Sequence, residues 1–156
     1  MALRPDRGYD EFTDISNYWT TSQTSAEKGG VATVVTQGSG VALEDTANVV
    51  SYAANPSGAI PKGVLLRTVS PALSATRDFI NFDAQEVRPG DKVTLVRKGW
   101  LVTDMIPSGI SPAVGDAAYV AASGNISSKQ ASGALQVGRF ETTKDADGFA
   151  RVFIDI

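Results

Sequence analysis

The 156-residue chain has no cysteine and no histidine. Without cysteine there are no disulfides, no thiolate nucleophile and no Cys-based zinc or iron–sulfur site. Without histidine there is no Ser-His-Asp triad, no His-ligated metal and no ordinary near-neutral general base. Charge is sparse, at 20% of residues, and slightly acidic, with 14 Lys+Arg against 17 Asp+Glu. A pI near 4.9 lacks the basic balance of a nucleic-acid binder, so no nucleic-acid partner is expected. No apolar run reaches the 18 or so residues of a membrane-spanning helix, and the first residues lack the apolar stretch of a signal peptide. The expectation is a soluble protein with no membrane partner, no metal and no cofactor. Hydrophobic residues at 42% and mean hydropathy of -0.05 suit a single folded domain with its own core.

The first thirty residues differ from the rest. They are polar and rich in Ser, Thr and acid, yet Tyr9, Phe12, Tyr18 and Trp19 are four of the chain's twelve aromatics. This pattern predicts an N-terminal arm over residues 1–30, followed by a β-domain over 31–156. Aromatic anchors in a polar terminus point to an arm that docks on another surface. On that reading, deletion of residues 1–22 leaves a folded domain. The competing readings are an arm packed back on its own domain, or a short helix across residues 10–19.

From Gly30 onward, β-branched runs alternate with Gly, Pro, Asn and Ser punctuation, as in Val31-Ala32-Thr33-Val34-Val35 and Gly63-Val64-Leu65-Leu66. The last strand alternates Ala150, Val152, Ile154 against a half-polar face with Phe149, Arg151, Phe153 and Asp155. Phe149 and Phe153 are secondary candidates for subunit contacts, with burial in a core as the competing reading. Short strands at this spacing predict an all-β, antiparallel barrel or sandwich with little helix. An internal repeat aligns Gly90-Asp91 through Gly99 with Gly115-Asp116 through Gly124. In each copy, Gly-Asp opens a strand and the second Gly is expected to turn it back into another. Residues 106–115 between the copies read as a loop.

Chemical motifs are weak. Asp145-Ala146-Asp147-Gly148 looks like the middle of a calcium loop, but Thr143 and Ile154 would then occupy its first and twelfth positions. A hairpin turn at Gly148 fits better. Arg97-Lys98 beside Trp100 reads as a solvated hairpin tip. The scattered acids give no reason to pair two carboxylates, so no catalytic residue is assigned.

The series Glu27-Lys28-Gly29-Gly30-Val31, Asn48 through Gly58, Pro61-Lys62-Gly63-Val64, Gly90 through Trp100, Gly115-Asp116-Ala117-Ala118-Tyr119 and Val137-Gly138-Arg139-Phe140 resembles the head decoration, or capsid cement, proteins of tailed bacteriophages. The resemblance runs from about Thr24 to Ile156. It implies a non-enzymatic virion protein, made in the host bacterial cytoplasm, that binds the outside of the expanded capsid. It further implies homotrimers that clamp adjacent major capsid protein subunits, with Tyr9, Phe12, Tyr18 and Trp19 as the expected anchors of the arm on the capsid or on a neighbouring subunit. The residues leave two other classes open: a carbohydrate- or cell-surface-binding β-module on a virion, and a carboxylate hydrolase.

Overall fold

The computed structural model describes residues 3–4, 12–35, 48–71 and 86–156. Tyr9 therefore lies outside the described residues, as do residues 5–11 of the expected arm. The described chain is all-β: β1 (Leu3–Arg4), β2 (Phe12–Trp19), β3 (Val31–Val34), β4 (Val49–Ser51), β5 (Pro61–Leu65), β6 (Thr68–Val69), β7 (Glu86–Val87), β8 (Lys92–Thr103), β9 (Ala117–Val120), β10 (Ile126–Ser127), β11 (Gln136–Phe140) and β12 (Ala150–Asp155). Its sole described helical element is a 3-10 turn at Ala122–Gly124.

Strand β8, twelve residues long, is shared by two halves of the molecule. On one side β2, β4, β3 and β5 follow in order, and β5 pairs back with β8, which closes a five-stranded barrel. Every pairing in this ring is antiparallel except β2 with β4. On the other side β8 continues through β12, β11, β9 and β10. The Ile126 amide donates to the Met105 carbonyl just beyond the end of β8, at 2.8 Å, so β10 folds back toward the spine.

Two cores result. Trp19, Ala32, Val50, Tyr52, Leu65, Val93 and Leu95 fill one. Val31, Val64, Val96, Leu101, Val120, Phe140, Val152 and Ile154 belong to the other. Consecutive residues of β3, β5 and β8 thus face opposite cores, and both are buried. A strand covered on both faces needs an unbroken apolar run, which is why Val31-Ala32 and Val64-Leu65 do not alternate. Strand β12 is covered on one face only, so Ala150, Val152 and Ile154 are buried while Arg151, Phe153 and Asp155 face outward. Phe149 is buried, and only Phe153 of that pair reaches the surface.

The repeat is structurally real at its openings. Asp91 donates its amide to Arg88 O at 3.0 Å, and its carboxylate accepts from Arg88 N at 3.3 Å. Asp116 does the same with Ala113, at 3.2 and 2.8 Å. Gly90 and Gly115 sit third in these turns at φ 89° and 90°, as a type II turn requires.

The closings differ. Gly124, at φ 77°, belongs to the reversal from β9 into β10. Gly99 does not reverse the chain: β8 runs straight through it, paired with Ile154. The expected first hairpin is therefore a single long strand. β12 holds one edge of its second half throughout, from Lys98 to Thr103, and this continuous pairing outweighs the glycine's permissiveness. At Asp145–Gly148 the turn is as the sequence suggests. The Asp145 carboxylate accepts from the amides of Asp147 at 3.0 Å and Phe149 at 2.8 Å, so it is occupied by its own backbone.

Candidate functional site

Residues 12–19 are a strand, not a helix, and they belong to the barrel wall. β2 pairs with β8 from Phe12 to Tyr18 and with β4 at Tyr18 and Trp19. The burial of Trp19, 1% exposed, removes it from the expected set of surface anchors. Its indole Nε1 donates to Gln23 O at 2.8 Å, and its ring meets Tyr52 edge-on with centroids 5.2 Å apart. A large amphipathic ring with its one donor satisfied is well placed in a core, and here it belongs to the cluster with Val50, Tyr52, Leu65 and Leu95.

Three large apolar side chains of the same strand are exposed, among polar ones. Phe12 is 58% exposed, Ile15 68% and Tyr18 40%. Two register irregularities break the strict two-residue alternation, between Phe12 and Thr13 and between Asp14 and Asn17. Side chains three apart can then reach the same outer side. The second irregularity is held by Asp14, whose Oδ1 accepts from the Ser16 amide at 2.9 Å and the Ser16 hydroxyl at 2.6 Å. Partial burial works to raise the Asp14 pKa. The two Ser16 bonds, the Asn17 amide and the charge of Lys62 outweigh it, and the carboxyl sits below its ordinary value. Ile15 is thrown outward by this local turn. A lone Ile in a polar segment carries no sequence signal of this exposure.

At the far end of the strand, Tyr18 borders a groove lined also by Ser16, Thr21, Asn48, Gly90 and Lys92. The Lys92 ammonium lies 5.7 Å from the Tyr18 ring centroid, a cation–π contact that steadies the ring without covering it. Of the four aromatics singled out in the sequence, Phe12 and Tyr18 are therefore exposed and Trp19 is buried.

A second surface lies on the outer face of β8, β12 and β11. Trp100 and Phe153 are direct cross-strand partners with ring centroids 5.0 Å apart. Trp100 Nε1 donates to Glu141 at 3.0 Å, and Glu141 pairs with Arg151 at 3.4 Å. Arg139 stands opposite Phe153 on its other side, and Lys98 lies 3.9 Å from Asp155. The hairpin tip expected at Arg97-Lys98-Trp100 is therefore part of a sheet face. At Gly138 the two strands β11 and β12 come so close that a Cβ there would run into the backbone carbonyl of Phe153.

Among the described residues no group of three or more acids could hold a metal ion. Both surfaces are open and shallow, and they offer apolar area with charged rims. Such surfaces suit contact with another macromolecule.

Comparison with known proteins agrees with this. In overall structure the chain is similar to a protein chain in the capsid of Myoviridae phage XM1, with a TM-score of 0.59 at 13% sequence identity, over 99% of this chain and 92% of that one. No curated protein sequence matches. The family model for the structural cement protein typified by E217 gp24 and Pam3 gp6 matches residues 8–155. With nearly the whole sequence inside that match, the chain belongs to the phage structural cement protein family, a structural component of the virion associated with capsid proteins.

Proposed function

We propose that the protein binds the outer surface of the expanded head and clamps adjacent major capsid protein subunits, using the outward face of β2. The observation that supports this most directly is the exposure of Phe12, Ile15 and Tyr18 on one strand. The backbone that carries these side chains is already ordered by strand pairing, so binding has only their rotamers left to fix and keeps much of the energy of burying them. Tyr9, three residues earlier in the sequence, is proposed as a further anchor on the strength of its aromatic ring alone. The family resemblance adds trimers at three-fold and quasi-three-fold positions, where several modest contacts combine into one stable attachment.

The test is co-sedimentation with expanded heads lacking cement, beside unexpanded proheads. Saturable binding to expanded heads alone is expected. Phe12→Ser and Tyr18→Ser should each weaken it by about tenfold or more, since anchors of this kind contribute upwards of ~1.4 kcal/mol. A folded protein that binds no related head, or binds equally well after both substitutions, overturns the reading.

A further inference from the structure

We propose that the cleft between β11 and β12 binds an acidic saccharide, a pyranose ring that carries a carboxylate. The site is separate from the β2 face and does not depend on the role proposed for that face. The cleft has a volume of about 580 Å³ and is lined by Gln136, Gly138, Arg139, Glu141, Phe153 and Asp155. That size suits a small ligand. Strand pairing sets Arg139 directly across from Phe153, and Gly138 beside it adds no side chain to fill the space.

The lining groups have distinct uses. Phe153 is half-buried, and Trp100 packs against its ring from the neighbouring strand. That contact steadies the ring, which gives the cleft an apolar wall. Lys98 pairs with Asp155 at 3.9 Å and Arg151 with Glu141 at 3.4 Å, so these charges offset each other within the face. Arg139 is exposed and has no ion pair or side-chain hydrogen bond among the described residues. Its guanidinium is therefore the uncompensated charge of the cleft, and its fork of donors is open to a carboxylate. Two acceptors complete the set. The Gln136 side-chain nitrogen donates to Gly138 O at 3.1 Å, which leaves Gln136 Oε1 to accept from a ligand. Asp155 meets Lys98 through Oδ1 and keeps its second oxygen.

This set is complementary to a sugar acid. The C–H face of a pyranose buries apolar area on Phe153, its hydroxyls donate to Gln136 and Asp155, and its carboxylate meets Arg139. A bare carboxylate would use Arg139 alone. A neutral sugar would leave the cation without an anion. An open, shallow cleft gives weak binding at each site. Copies repeated over a shell, facing a polymer that repeats the same sugar, turn weak sites into a firm hold. The further function that follows is adhesion of the particle to acidic polysaccharide.

Titration of the protein, followed by amide NMR shifts, tests the site. The probes are short oligomers of glucuronic, galacturonic and mannuronic acid, their neutral hexose counterparts, and glutarate as a carboxylate without a sugar ring. At least one acidic oligomer should bind with a Kd of about 1 mM or tighter. It should move the amides of β11 and β12 and leave those of β2 in place. Its neutral counterpart and glutarate should each bind more weakly, by about tenfold or more. Arg139→Gln should weaken the acidic oligomer by about tenfold and remove its advantage over the neutral one, while Phe153→Ser weakens both. Unchanged shifts elsewhere in the spectrum show that these variants are folded. Lys129 is exposed just past β10, outside the cleft. Lys129→Gln removes the same charge and should change nothing, which separates the site from general attraction to a polyanion. The proposal is overturned if no acidic oligomer shifts the cleft amides, or if a neutral counterpart or glutarate binds as tightly. Equal weakening by Lys129→Gln and Arg139→Gln overturns it too.

Discussion

Tyr52 joins three parts of the fold through one side chain. Its hydroxyl donates to the Glu27 carbonyl and accepts from the Gly30 amide at 3.2 Å, and its ring lies edge-on to Trp19. Burial pushes its ionisation well above the ordinary tyrosine range, so it acts as a neutral donor. Tyr52→Phe leaves a carbonyl and an amide without their partner, which costs about 1–3 kcal/mol. Thermal unfolding should show this as a fall of roughly 2–4 °C per kcal/mol. The ring is packed against Gly124, where a Cβ would lie 2.6 Å from it, while Gly115 has open space around it at a similar positive φ. Gly115→Ala should therefore cost about 1–2 kcal/mol of backbone strain alone. Gly124→Ala adds overpacking of about 1–3 kcal/mol more. Equal melting temperatures for the two variants would contradict the close packing of Tyr52. Asp14 gives a third test. Its lowered pKa means that the folded state prefers the carboxylate, so its contribution is present above the ordinary value of 3.8 and fades as pH falls through and below it. Asp14→Asn should flatten the acid limb of the stability–pH curve, measured by urea unfolding between about pH 2 and 6.

Among the elements, β8 and β2 matter most. Gly138→Ala should break the β11–β12 pairing, because the added methyl meets the Phe153 carbonyl. Hydrogen exchange should then quicken at the β11 and β12 amides while the β3–β5 amides stay protected. Removing residues 1–22 deletes β2, one of five barrel strands, together with Trp19. The expected outcome is loss of cooperative unfolding, contrary to the folded remainder that the sequence suggests. The reason that sequence misled there is physical. β2 is covered on one side only, its exposed residues mix Phe12, Ile15 and Tyr18 with Thr13 and Ser16, and its register is broken twice. Neither a two-residue nor a 3.6-residue period survives in Phe12–Trp19, and the aromatics then look like anchors on a loose arm. The strands from Val31 onward were legible because apolar runs and glycine turns marked them. The Gly-Asp openings were legible too, since a carboxylate capping its own turn is a local feature. Gly99 was not, because its role is decided by β12, more than fifty residues away. The candidate docking face was half legible: Phe12 and Tyr18 were visible as aromatics, and Ile15 emerges only from the Asp14 turn.

For the whole molecule, the consequence of a cement role is a shift in equilibrium. A protein that binds the assembled shell and not its separated subunits stabilises the shell by an amount that grows with the logarithm of its free concentration. Each occupied site contributes about 2.7 kcal/mol at a hundred times Kd, and an icosahedral shell multiplies that small gain over many sites. The temperature at which expanded heads come apart should therefore rise steadily as protein is added in excess of its sites. A protein that merely decorates, making equal contacts with assembled and free capsid subunits, would bind as tightly and shift nothing. The two are separated by scanning heads at increasing protein concentration and comparing the unaltered chain with Phe12→Ser. The clamp predicts a rising disruption temperature that moves to higher protein concentration, by the same factor as Kd, in the variant. A disruption temperature that stays constant while binding saturates would leave the protein as a passenger on the shell.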